Sequence, residues 1–198
     1  MIIGLTGGIG SGKSTIGAGL RTLGYPVYET DKQAKHIIIT NPMVRSQVEL
    51  LFGSEVLDGD VYHTDLVAKQ VFHDPTLLEK LNHIVHPAVA FDLQEWARLE
   101  VEKHPAQPVC FVESAILYES GLDKLCYKVV AVTAPEEVRI QRTIARDHSD
   151  INKVRARVRA QDTAEDIHRA DFVVENNGQT EINTLCLQIQ DFLRTFAS

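Results

Sequence analysis

Three cysteines, Cys110, Cys126 and Cys186, are all that a chain of 198 residues contains. An odd count, widely spaced and without C-x-x-C, excludes a disulfide framework and a zinc ribbon, and fits a reducing compartment. The opening Met1-Ile2-Ile3-Gly4-Leu5-Thr6 lacks a basic segment and a long apolar stretch, so no signal peptide is expected. No apolar run approaches the roughly 18 residues of a membrane helix, and the expected location is the cytoplasm. A cationic surplus is lacking too: 20 Lys and Arg against 27 Asp and Glu leave a net charge of −7. Dedicated nucleic-acid binding, which relies on clustered cations releasing counterions, is therefore disfavoured, although a local basic patch can still hold a phosphate. Internal repeats and low-complexity tracts are absent, and no protein partner is evident.

What is present is an ordinary globular composition, 44% hydrophobic and 24% charged. At this length a sizeable core forms, burying roughly 70% of the unfolded chain's surface. Short β-type runs alternate with longer helical patterns, the signature of a parallel sheet covered by helices. The expected strands are Ile2–Thr6, Pro26–Tyr28, Val109–Glu113, Lys128–Val132 and Phe172–Val174, several of them apolar throughout, as strands buried on both faces are. Lys13–Leu23 reads as a helix stopped by Gly24, and Asp74-Pro75 as an N-cap and N1 pair opening a helix to about Val85. Ile182, Leu185, Ile189, Phe192 and Phe196 form one stripe of a terminal helix packed on the core. Between the second and third strands, residues 32–106 read as a mostly helical insertion, placed to cover a substrate.

Gly7-Gly8-Ile9-Gly10-Ser11-Gly12-Lys13-Ser14 matches G-x-x-x-x-G-K-[ST] position for position, after an apolar strand and before a helix. Glycines let the backbone close into a nest whose N–H groups face phosphate oxygens, and the helix aims its positive end at the same point. In that arrangement Lys13 reaches the β- and γ-phosphates and the Ser14 hydroxyl ligates Mg²⁺. The motif indicates a bound nucleoside triphosphate and says nothing of its use.

Three features bear on that use. Glu29-Thr30-Asp31 ends the second strand, where open α/β sheets place ligands. Asp31 there serves equally as a base toward an attacking hydroxyl or as the N-cap of the next helix. Glu113 ends the third strand, as a holder of Mg²⁺ or simply as a polar residue where a strand leaves the core. Arg139, Arg142, Arg146, Lys153, Arg155, Arg157 and Arg159 form a basic stretch containing only Asp147 and Asp150 as acids. It reads as phosphate-neutralising guanidinium forks or as a solvated basic face. The eight histidines show no metal spacing; His86-Pro87 reads as a helix break or as part of a substrate pocket. A nucleotide-dependent switch is disfavoured, since N-K-x-D and D-x-x-G elements are lacking (Asn152-Lys153-Val154-Arg155 has no Asp). A small-metabolite kinase of the shikimate or gluconate type shares the cradle and the acid on the second strand.

Gly4 to Thr15 resembles the opening of dephospho-CoA kinases, with the run L-T-G-G-I-G-S-G-K-S. The likeness continues through Val27–Lys35 (D-A-D-x-x-A-R in that family), Asn82–Pro87 (N-x-x-x-H-P) and Glu113–Glu119 (D-x-P-L-L-F-E). It extends to Gln141-Arg142-Thr143, Arg146-Asp147, Gln161, and Ala170-Asp171 with Asn176-Asn177-Gly178. The resemblance implies an α/β P-loop kinase core with a five-stranded parallel sheet flanked by helices, spanning about residues 1–31 and 107–198. It also implies a helical CoA-binding insertion over about 32–106 and a lid over about 142–162. The implied reaction is ATP-dependent phosphorylation of the ribose 3′-hydroxyl of dephospho-CoA, with Mg²⁺. Asp31 is then the base, and Lys13 and Arg142 stabilise the γ-phosphoryl group. Gly8, Ile9, Gly10, Ser11, Gly12, Lys13, Ser14 and Thr15 hold the nucleotide together with Arg142, and Asn176, Asn177 and Gly178 lie by its adenine. Ser14 and Glu113 are the metal-side residues, and Asp31, Lys35, His86, Arg142, Arg146 and Gln161 the substrate-side residues. Departures from the family pattern are Glu29 and Lys35 for Asp and Arg, and Glu113 and Ala115 for Asp and Pro. Lys35 keeps the charge but gives up bidentate geometry.

Overall fold

The computed structural model describes residues 1–147, 150–160 and 164–196. In chain order they form β1 (Ile2–Thr6), α1 (Lys13–Thr22), β2 (Val27–Glu29), α2 (Thr30–Thr40), α3 (Pro42–Phe52), β3 (Leu57–Asp58), β4 (Val61–Tyr62), α4 (Thr64–His73) and α5 (Thr76–Lys103). Then follow β5 (Cys110–Glu113), β6 (Lys128–Thr133), α6 (Glu136–Asp147), α7 (Ile151–Ala160), α8 (Ala164–Arg169), β7 (Phe172–Glu175) and α9 (Ile182–Arg194). The chain divides into two compact units, Met1–Tyr28 with Leu99–Ser198, and Glu29–Arg98.

The first unit is built on a five-stranded sheet in the order β2-β5-β1-β6-β7. β1 pairs in parallel with β5 (Ile3 opposite Phe111) and with β6 (Leu5 opposite Val130), and β6 with β7 (Val130 opposite Phe172). The expected α/β architecture with five strands is therefore the one observed. Ile3, Leu5, Phe111, Val130 and Val132 are buried, as apolar strands between two helical layers must be. Phe111 meets the edge of Tyr25 at 5.5 Å. Below them lies the α9 stripe, with Leu185, Ile189 and Leu193 buried and Phe192 stacked on Phe172 at 4.7 Å. Leu23 caps α1, and Gly24 follows at φ 87, a left-handed turn that glycine adopts without a Cβ penalty. The cysteines are free; burial pushes the Cys110 thiol up to about 11 and that of Cys126 up to about 12.

Entry to β7 is fixed by Asp171. Its carboxylate accepts from Lys128 Nζ at 2.7 Å and from the Val129 N–H at 2.9 Å, while its own N–H donates to the Val129 carbonyl. The Ala170-Asp171 pair is thus a strand-register device.

The second unit is helical with one addition, a hairpin of β3 and β4 turning at Gly59-Asp60. Strands of two residues are too short to leave a periodic trace in sequence. Arg45 Nη1 ties α3 to this turn through the Gly59 carbonyl at 2.7 Å, and Gln70 Nε2 ties α4 to the Phe52 carbonyl at 2.8 Å. Asn41 Oδ1 caps α3 by accepting from the N–H groups of Met43 and Val44, with Pro42 in the first turn. Helix α5 begins as expected, Asp74 accepting from both the Thr76 N–H and its hydroxyl. It does not stop near Val85, however, but runs to Lys103 through Pro87. Proline removes its own N–H from the ladder and its ring crowds the carbonyl four residues back, at His83, but the buried stripe Val85, Val89, Leu93 and Ala97 holds the helix on its core across the interruption. His86-Pro87 is therefore not a helix break. No helix among the described residues is long and apolar enough to cross a membrane.

Candidate active site

The carboxyl ends of β1, β5, β6 and β7 carry the loops that build the site in the first unit. Beyond β1, Gly7, Gly10 and Gly12 take φ values of 145, 77 and 92, which strain side-chain-bearing residues. Space is closed to side chains as well. A Cβ on Gly10 would lie 2.3 Å from the Arg139 carbonyl oxygen, and one on Gly12 would lie 2.2 Å from Asn176 Nδ2. The Ser11 N–H closes the loop onto the Gly8 carbonyl at 3.1 Å. Helix α1 starts immediately after, with no side-chain cap and no acid in its first turn. Its terminal N–H groups and partial positive charge face the loop's concavity, an arrangement suited to phosphate.

Ser14 Oγ donates to Glu113 Oε1 at 2.6 Å. Glu113 ends β5 opposite Leu5 and is buried, against α1 at Gly17. A serine whose proton is held by a carboxylate turns its oxygen lone pairs outward, toward a cation. Among the described residues no group of three or more His, Cys, Asp or Glu is placed to hold a metal. Mg²⁺ in phosphate sites needs no such cage, since one or two protein oxygens suffice when phosphates and water complete its octahedron. The Ser14–Glu113 pair fits that donor set.

On the other side of the loop stand α6 and the turn after β7. Arg142 Nη1 donates to the carbonyls of Ser11 (3.3 Å) and Asn176 (3.1 Å), and Nη2 to Asn176 Oδ1 at 3.1 Å. Asn176, only 2% exposed, donates through Nδ2 to the Ser11 carbonyl at 3.0 Å. Both ends of its carboxamide are thus engaged by the protein, making it a brace between loop and helix. Asn177 instead turns its own chain, Oδ1 accepting from Gln179 and Thr180, and Gly178 leaves Arg142 Nη2 room, 3.3 Å from where a Cβ would sit. Asn176→Ala should leave Arg142 and the Ser11 carbonyl short of a partner and cost ~2 kcal/mol. A calorimetric scan should then show a melting temperature lower by roughly 4–8 °C, and no fall would mean that the brace adds nothing.

The remaining arginines are mostly paired at the surface. Arg146 forks onto Asp147 at 2.7 and 3.1 Å, and Arg157 reaches the same carboxylate at 3.1 Å. The pairing holds the Asp147 carboxyl below its ordinary range and raises the Arg146 guanidinium. Arg155 lies 3.8 Å from Glu137 and Arg159 3.9 Å from Glu136. These acids lie just upstream of the basic stretch, so its excess positive charge is smaller than the stretch alone implies. Gln161 lies outside the described residues.

In the second unit, Asp31 and Lys35 are exposed and one turn apart on α2. The N-cap position belongs to Glu29, so Asp31 is a first-turn residue and not the cap. His86 is half-buried on α5, its pKa lowered by burial and then by the neighbouring His83, so the ring is neutral at neutral pH.

Sequence reasoning placed Arg139 within the basic stretch but missed its contact with the loop, where Nε donates to the Ile9 carbonyl at 3.0 Å. Its i, i+3 spacing to Arg142 places both on one helix face and was the available signal.

The dephospho-CoA kinase family profile matches residues 1–181. A dephospho-CoA kinase of Porphyromonas gingivalis is 40% identical over 168 residues, 85% of this chain and 81% of that protein. A solved dephospho-CoA kinase from Campylobacter jejuni superposes with a TM-score of 0.71 at 23% identity, covering 98% of this chain and 97% of that one. A shikimate kinase from Acinetobacter baumannii, solved with shikimate, superposes with a TM-score of 0.59 at 17% identity, covering 100% and 95%. The fold is thus shared among P-loop kinases with different acceptors, and it is the sequence match that discriminates between them. On that match, the chain belongs to the dephospho-CoA kinase family.

Proposed function

We propose that this protein transfers the γ-phosphoryl group of ATP to the ribose 3′-hydroxyl of dephospho-CoA, giving coenzyme A and ADP, the last step of coenzyme A synthesis. The observation that carries the nucleotide half of this reading is the Ser14–Glu113 hydrogen bond of 2.6 Å directly behind the glycine loop. Family membership carries the choice of acceptor.

In this reading Gly8, Ile9, Gly10, Ser11 and Gly12 present N–H groups to the phosphates, and Lys13 neutralises charge between the β- and γ-positions. Ser14, oriented by Glu113, is the protein ligand of the metal, and Thr15 extends the same helical turn. Mg²⁺, when bound, would be held through Ser14 and would supply neutralisation of the phosphates' negative charge. Asp31 takes the proton of the attacking hydroxyl. Arg142 lends its guanidinium to the transferring group, beside Asn176, Asn177 and Gly178 near the adenine. Lys35, His86, Arg146 and Gln161 are the acceptor-side residues, with 32–106 the acceptor lobe and 142–162 a lid that excludes water. A cytoplasmic location goes with this reading, which requires no nucleic acid, membrane or protein partner.

The test is ADP release from Mg-ATP with dephospho-CoA, shikimate, gluconate, AMP or no acceptor. Turnover is expected only with dephospho-CoA, with a product heavier by one phosphate. Turnover with another acceptor would move the specificity and keep the fold. Nucleotide binding with no stimulation by any acceptor would sink the kinase reading.

A further inference from the structure

A phosphate loop binds through its N–H groups, so whatever grips its carbonyls decides where those N–H groups point. In a trans peptide the two groups are antiparallel. The Ile9 carbonyl accepts from Arg139 Nε at 3.0 Å, which turns the N–H of the same peptide, that of Gly10, the opposite way. The Ile9 side chain is held by the same structural element: it packs against Ile140, Val154 and Val158, the apolar seam of α6 and α7. Arg139 is itself set against the loop, its carbonyl oxygen lying 2.3 Å from the site of a Cβ on Gly10. Carbonyl and neighbouring backbone are thus held by α6, and the side chain by the α6–α7 seam, which together constrain the orientation of the Ile9–Gly10 peptide.

We propose that Arg139 is a positioning residue of the phosphate loop, acting through the Ile9–Gly10 peptide to present the Gly10 N–H to the nucleotide's phosphate oxygens. This rests on the nucleotide-binding half of the proposed function and not on the acceptor. It differs from a role for Arg139 as a cation on the phosphates, because the contact with the loop runs through Nε, the guanidinium nitrogen nearest the main chain. Glutamine carries Nε2 the same number of bonds from its Cα. Arg139→Gln therefore keeps a donor in place while removing the charge, and Arg139→Met removes both.

The experiment is titration calorimetry of ATP and of ADP, without acceptor, on wild type, R139Q, R139M and R155M. Arg155 serves as the control because it is exposed and faces Glu137 at the surface. R139M should bind both nucleotides about tenfold or more weakly, since the Ile9 carbonyl loses the Arg139 Nε donor. R139Q and R155M should stay within about threefold of wild type, well under the loss expected for a missing hydrogen bond. In turnover, R139M should raise KM for ATP while leaving kcat within about threefold, the signature of binding lost equally in ground and transition states. Equal loss in R139Q and R139M would make Arg139 a charge on the phosphates and overturn the proposal. Wild-type affinity in R139M would overturn it also. So would a loss in R139M matched by a lowered apo melting temperature with kcat and KM both impaired, which would show a merely structural role. Should R139M not fold, R139A takes its place in every arm. Absence of nucleotide binding by the wild type would overturn the proposed function together with this inference.

Discussion

Asp31→Asn is expected to lower kcat with dephospho-CoA by about 10²- to 10³-fold while leaving ATP affinity unchanged, a fall within the roughly 10²- to 10⁴-fold that a positioned base contributes. The substitution is nearly isosteric and exchanges a proton-accepting carboxylate for an amide that cannot take the proton. Asp31 is exposed and sits in the first turn of α2. Losing its charge there costs the helix only ~0.3–1 kcal/mol of dipole interaction, too little to unfold the protein. Stopped assays at saturating ATP, with ATP binding measured separately, separate the two quantities. A kcat within about threefold of wild type would remove Asp31 from the role of base, because a base contributes far more than that.

Lys13→Met should cost more, because it strikes binding and chemistry together. The ammonium is the one side-chain cation that the loop motif itself supplies, and it is fixed at the first residue of α1 by the turn at Gly12. Methionine matches much of the stem and brings no charge. We expect kcat to fall about 10²- to 10³-fold, as on loss of one preorganised electrostatic group, and ATP binding to weaken in the same variant. The contrast with Asp31→Asn is the informative part, since the acid affects turnover alone whereas the lysine affects both. A variant that binds ATP normally and turns over at the wild-type rate would show that the glycine loop is a structural turn.

Much of the first unit was readable because its strands are buried on both faces. Ile2–Thr6 came out with both bounds as expected, and Gly24 marked the end of α1 by its need for a positive φ. The order of the strands was not readable, because register across the sheet is set by packing between segments a hundred residues apart, such as Ile3 opposite Phe111. The same distance hid the brace. Nothing local to Asn176 signals that its carboxamide grips the Ser11 carbonyl 165 positions away. The basic stretch was read as more cationic than it is because Glu136 and Glu137 lie just outside it in sequence, yet face Arg159 and Arg155 in space. Pro87 misled in the other direction: the local rule that proline ends a helix was outweighed by the apolar stripe Val85, Val89, Leu93 and Ala97, whose burial depends on tertiary structure. Asp31 stood between two roles until the position of the N-cap at Glu29 removed one of them.

The buried thiols give this protein two internal clocks. Cys110 lies in β5 beside the first residues of the chain, its Sγ directed at the Met1 carbonyl, and Cys186 lies in α9 with its Sγ directed at the Ile16 carbonyl of α1. Both are fully buried. Burial holds the Cys110 thiol well above its ordinary range, so little of it is thiolate at neutral pH, and the thiolate is the reactive form. An alkylating reagent therefore waits for the fold to open. Cys110 reports the parting of the sheet's β1–β5 seam, and Cys186 the peeling of the terminal helix from α1. The order in which the two sites acquire label reads out which part of the first unit breathes first.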